Sequence, residues 1–203
     1  MPVFFGNERV NRSGQSIVEV IVALAVISTA VVAALTLTGS SLNAQKSNED
    51  MMVAVNLARE GVEVARNIRD SNWLAERRWD DGLVGESLDY TAIAVFDPVS
   101  GDWSLDFAPD SLSGEGTEVW RLTSEHLGIH TQDTVRPADS FRTPFRRLLV
   151  LNPVCRSQEV RESGSACDMA DPQVGIRIES LVAWGGGKRP RDVAVTETIY
   201  DWR

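Results

Sequence analysis

The chain has 203 residues, 43% hydrophobic and 24% charged, with 29 acidic side chains against 20 basic ones and a formal net charge of −9. That length suits one modest domain with an appended segment rather than two full domains. The acidic balance argues against nucleic acid as the main partner, because binding a phosphate backbone depends on Lys and Arg displacing counterions.

Residues 1–14 form a short polar leader in which Arg9 and Arg12 outweigh Glu8 by one charge. From Val20 to Ala44 there is no charged residue, and Val20 to Leu37 is almost wholly Val, Ala, Leu and Ile. About 20 such residues span the hydrocarbon of a bilayer as a helix. The positive leader is expected to stay in the cytoplasm, with the rest facing outward. A secretory signal has an apolar core of about 7–15 residues and a cleavage site after it. This core is longer, and the sequence after it keeps a helical pattern. Met51, Val55, Ala58, Val62 and Ala65 step along one face, while Asn56, Arg59, Glu63, Arg66 and Asp70 form the other. Arg59 with Glu63 and Arg66 with Asp70 stand at i,i+4, the spacing of helical ion pairs. Gln15 to about Asp70 thus reads as one helix roughly 80 Å long at ~1.5 Å per residue. Its weak points are Thr36, Thr38, Gly39, Ser40 and Ser41, which have modest helix propensity. Glu19 is the only carboxylate between residues 13 and 39. At the centre of a bilayer such a charge costs about 2.5–3.5 kcal/mol, and less near the interface.

Residues 71–140 hold two short strand-like runs, YTAIAVF and EVWRL, among Gly, Pro, Asp and Ser. This region reads as a variable connection between helix and sheet, where surface function tends to sit. His126 and His130, in EHLGIH, have helical spacing, but Gly128 between them argues for a turn or an edge strand, and two ligands do not make a zinc site. Asp80, Asp81, Asp106, Asp110, Asp168 and Asp171 fit no EF-hand spacing and read as solvated loop carboxylates. No serine sits in a recognisable nucleophile motif. The expectation is therefore a non-enzyme with no cofactor and no metal.

The C-terminal runs RRLLVLNPV, VGIRIESLVAW and DVAVTETIYDW are rich in β-branched residues, with Ile176, Ile178, Val193 and Val195 alternating with polar neighbours. They read as adjacent antiparallel strands of a half-buried sheet. Gly185 to Arg191 supplies the turn between the last two. GGGK is not a phosphate loop, since Val182 stands where a glycine is required and Arg189 where Ser or Thr is required. The fold class is α+β: a long N-terminal helix, membrane-spanning and then amphipathic, on a C-terminal antiparallel sheet. The tryptophans read as packing residues, with Trp73 and Trp79 capping the helix against the sheet; a carbohydrate or adhesion patch is the alternative. Cys155 and Cys167 read as one disulfide if the domain lies outside the cytoplasm, worth roughly 3 kcal/mol on the chain-entropy model, and otherwise as two thiols.

Gly14 followed by Gln15-Ser16-Ile17-Val18-Glu19 and an apolar run resembles the class III signal of type IV prepilins and pseudopilins. NLAREGVEVARNIRDSNW is similar to the end of the long helix in PilV-like minor pilins. TPFRRLLVLNPV and the last thirty or so residues resemble the C-terminal sheet of that group. The resemblance implies a pilin-like fold. Residues 1–14 would be a leader removed by a membrane prepilin peptidase, 15–40 the transmembrane and filament-core helix, 41–72 its amphipathic continuation and 73–203 an extracytoplasmic β-rich head. Cleavage would fall between Gly14 and Gln15, and Gln15 would be the N-methylation site. Glu19 would pair with the amine of Gln15, its own or a neighbour's, and set the register of assembly. The implied partners are prepilin peptidase, other pilin subunits, the assembly platform and its ATPase, and membrane lipid. The implied location is the inner membrane and then a surface filament. Thr36, where many major pilins carry a proline, favours a minor subunit. A type II secretion or competence pseudopilin is the alternative, as is a membrane-anchored adhesion module.

Overall fold

The computed structural model describes residues 17–85, 90–107, 109–123, 128–162, 165–185 and 191–201. Gly14, Gln15, His126 and most of the expected GGGK turn lie outside them. Helix α1 runs over Ile17–Leu74, 58 residues. Nothing from Ile17 to Thr38 is Gly or Pro, so no helix breaker interrupts its first half. The expected weak stretch from Thr36 to Ser41 is helical throughout. Its hydroxyls turn inward: Thr36 Oγ1 donates to Val32 O at 3.1 Å and to Ala33 O at 2.8 Å, and Thr38 Oγ1 to Ala34 O at 2.9 Å. Ser28 and Thr29 do the same about two turns earlier.

The described chain divides into two compact units, one ending at Ser47 and the other beginning at Asn48. In the first, the apolar side chains from Ile17 to Leu42 are exposed. The helix is long and apolar enough to cross a membrane.

In the second unit the same helix buries Ala54, Leu57, Ala58, Gly61, Val62, Val64, Ala65, Ile68 and Trp73 against the sheet. Ala58, Val62 and Ala65 thus fall on the expected inner face, and Asn56, Arg59 and Glu63 on the outer one. Met51 does not join that face; it is 52% exposed, because cover by the sheet begins only at Ala54. The ion pairing also differs from expectation. Arg66 pairs with Glu63, one turn back, and with Glu197 on the sheet, while Asp70 accepts from Arg69 Nε at 2.9 Å.

Among the described residues the sheet has seven strands: β1 (Thr91–Phe96), β2 (Trp103–Asp106), β3 (Glu118–Leu122), β4 (His130–Thr131), β5 (Ser140–Cys155), β6 (Gln173–Trp184) and β7 (Arg191–Tyr200). Every pairing is antiparallel. The centre is β5, sixteen residues long. One of its edges pairs with β6 from Phe145↔Trp184 to Cys155↔Gln173, and β6 carries β7 on its far side. The other edge is shared by β1, at Thr91↔Val150, and β3, at Leu122↔Ser140. The two expected short runs are thus strands β1 and β3 of the sheet itself, and β2 and β4 join them there, so this region is more than a connection between helix and sheet. Asp106 ends a strand and is not a loop residue.

Two apolar clusters join helix to sheet. One gathers Val62, Ala65 and Ile68 with Leu149, Leu151, Ile176, Ile178 and Ile199, and the half-buried Trp79 packs against it. The other gathers Ala54, Leu57 and Ala58 with Val119, Phe145, Val182 and Trp184. Between them the helix comes closest to the strands at Gly61. A Cβ there would lie 2.6 Å from Ser180 Oγ and 2.7 Å from Leu149 Cδ2. Gly61→Val is expected to lower stability by about 1–3 kcal/mol through overpacking, even though glycine is itself a poor helix former. Thermal unfolding of the full chain in detergent checks this, with Gly39→Val as control, since nothing lies within 4 Å of a Cβ at Gly39.

Candidate functional site

Glu19 lies in the first turn of α1, where a carboxylate favourably meets the positive end of the helix dipole. It is exposed, and Val18, Val20, Ile21 and Val22 around it are exposed as well. The arrangement is one acid at the start of an apolar cylinder.

At the opposite end of the chain, Cys155 and Cys167 form a disulfide with 5.6 Å between their Cα atoms, within the usual range. Cys155 is fully buried at the end of β5. Two further contacts close the base of the loop. Arg156 N donates to Pro172 O at 2.9 Å, and the Asp171 carboxylate accepts from Ser157 N at 2.7 Å and Ser157 Oγ at 2.5 Å. Those bonds from Ser157 hold the Asp171 carboxyl below its ordinary range. A lowered value in the folded state means the contribution is present above the ordinary carboxylate range and is lost as pH falls through the lowered one. Cys167→Ser is expected to cost about 2–4 kcal/mol and to loosen this loop, read by urea unfolding under oxidising conditions.

Not all of the expected loop carboxylates are solvated. Asp80 is buried and receives Arg78 Nε at 3.1 Å and Nη2 at 2.8 Å. Asp168 accepts from Ala170 N and Asp171 N, shaping its own turn. Among the described residues no three His, Cys, Asp or Glu side chains are grouped to hold a metal ion. His130 lies in the two-residue strand β4, as the turn-or-edge-strand expectation had it.

The polar centre of the head is a residue that sequence reasoning passed over. Arg147 is fully buried in β5, on the side facing α1. Its Nε donates to Gln132 Oε1 at 2.8 Å, and its Nη1 donates to Leu57 O of the helix at 3.1 Å and reaches Glu60 Oε1 at 3.5 Å. Gln132, itself buried, returns two bonds from Nε2, to Thr117 O at 3.0 Å and to Arg147 O at 2.7 Å. Burial lowers the proton affinity of Arg147 and Glu60 raises it back, but a guanidinium stays charged throughout. One side chain thus ties helix, central strand and the β4 arm. The signal was present: Arg147 has the same parity as Leu149 and Leu151, so the strand period puts all three on the inner face. Arg147→Ala is expected to cost about 3–5 kcal/mol, because it strands Glu60 and Gln132 without their partner. Arg147→Met, which keeps the stem, should cost less; chemical denaturation of the two variants gives the comparison.

Among known proteins no family model matches the chain, and no curated protein or solved structure is detectably similar to it.

Proposed function

We propose that this chain is a type IV pilin-like subunit, most like a minor pilin, whose function is assembly through its N-terminal helix. The observation that carries the proposal is Glu19: one carboxylate in the first turn of an otherwise apolar, exposed helix that goes on into an amphipathic stretch packed on an antiparallel sheet. A plain anchor has no use for that acid, which costs about 2.5–3.5 kcal/mol at mid-bilayer. In a subunit cut after Gly14, the new amine of Gln15 lies four residues from Glu19 and neutralises it, within one chain or between neighbours. The membrane penalty then favours docking of one helix on another at a single axial register. The apolar surface serves twice, first against lipid and then against other helices. The disulfide between Cys155 and Cys167 supports a head that sits in an oxidising compartment outside the cytoplasm.

Intact-mass and N-terminal sequencing of the chain expressed with and without a prepilin peptidase tests the proposal. Co-expression should yield a chain beginning at Gln15, and Gly14→Leu should abolish that product. An uncut leader in the presence of the peptidase would instead indicate a membrane-anchored adhesion module. Glu19→Ala should be cleaved normally yet enter filaments poorly, measured by immunoblotting of sheared filaments against cell membranes. Normal incorporation would sink the register role.

A further inference from the structure

Glu60 does more than balance Arg147. While its Oε1 faces Arg147 Nη1 at 3.5 Å, its other oxygen, Oε2, faces His130 Nδ1 at 3.6 Å. His130 and Gln132, two apart in and just after β4, therefore both engage the pair formed by Glu60 and Arg147. The two contacts differ in access to water. The Arg147 side chain is 0% exposed, whereas those of His130 and Glu60 are 26% and 33% exposed.

β4 is only two residues long, and besides its bonds through Gln132 to Thr117 and Arg147 it has few backbone ties to the sheet. It pairs with β3 at only two positions, Trp120↔Thr131 and Arg121↔His130. Toward β1 it is joined by side-chain bonds, Phe96 N to Thr131 Oγ1 at 2.8 Å and Ala94 N to Gln132 Oε1 at 3.3 Å, together with Gln132 N to Ala94 O at 3.0 Å. Among the described residues, Arg121 stands opposite His130 on β3, and Glu63, one helical turn from Glu60, is already engaged by Arg66.

We propose that Glu60 and His130 form a pH-operated latch between β4 and α1, closed by a proton on His130, added to the fixed contacts that Arg147 and Gln132 already make there. A neutral imidazole meets the carboxylate as a dipole at 3.6 Å; an imidazolium meets it as an ion pair between helix and edge strand. Histidine is the side chain that changes charge between about pH 5 and 8, so acidification of the surroundings tightens the docking of helix on head. The inference is independent of the filament proposal, because it concerns only contacts within the head.

The test is a double-mutant cycle on the full chain in detergent micelles, read as the thermal unfolding midpoint. His130→Gln should lower the midpoint by about 2 °C at ~pH 5.5 and leave it unchanged at ~pH 8. In a Glu60→Gln background the pH-dependent loss should vanish. His126→Gln, at the chain's other histidine, should show no such dependence. If Glu60→Gln does not fold, Glu60→Asp takes its place, since a shorter side chain withdraws the carboxylate from His130. An equal effect of His130→Gln at both pH values, or one that persists in the Glu60 variant, overturns the latch.

Discussion

A helix can lie only as close to a sheet as its smallest side chains allow. In this chain Ala54, Ala58, Gly61 and Ala65 fall in one row along the buried face of α1. That row brings the helix axis down onto β5 and β6 until nothing but hydrogen fits at Gly61. Everything else in the head follows from the close approach. Larger residues on either side, Leu57, Val62 and Ile68, drop into the two apolar clusters. The carbonyl of Leu57 comes within reach of a side chain rising from the sheet. A helix held farther off by leucines would leave Arg147 with no backbone acceptor and a larger gap to fill.

Charge is placed in the two units according to opposite rules. In the head, a cation is sealed away from water and is tolerable because Leu57, Gln132 and Glu60 all meet it. On the apolar half of α1, Glu19 is the one charged side chain among the described residues from 17 to 44, in a segment otherwise suited to hydrocarbon. The first arrangement fixes a fold, since removing any one member leaves the others unmatched. The second leaves an exposed carboxylate at the start of an apolar surface.

How far these features could be read from the residues depended on how local their causes are. The long helix was legible because its apolar run and the spacing of Ala58, Val62 and Ala65 are local patterns. The last two strands were legible for the same reason, Ile176 and Ile178 alternating without interruption. β2 and β4 were not, since four residues and two residues carry no measurable period and exist only because β1 and β3 offer them an edge. The early half of β5 was hidden by Arg142 and Pro144, which look like loop residues until pairing with β3 is known. Met51 was misplaced because periodicity shows which face is apolar but not where the partner sheet ends. The role of Arg147 is obscured by its charge, which suits a surface position, although its parity with Leu149 points to the inner face.

The inward-turned hydroxyls of α1 have a consequence for orientation. Ser28, Thr29, Thr36 and Thr38 spend their donors on the carbonyls one turn behind them. From Val20 to Leu37 every hydroxyl donor is thus turned back onto the helix, and the exposed surface of that stretch is almost wholly apolar. What distinguishes one side of this stretch from another is then the size and shape of its apolar side chains rather than their hydrogen bonding.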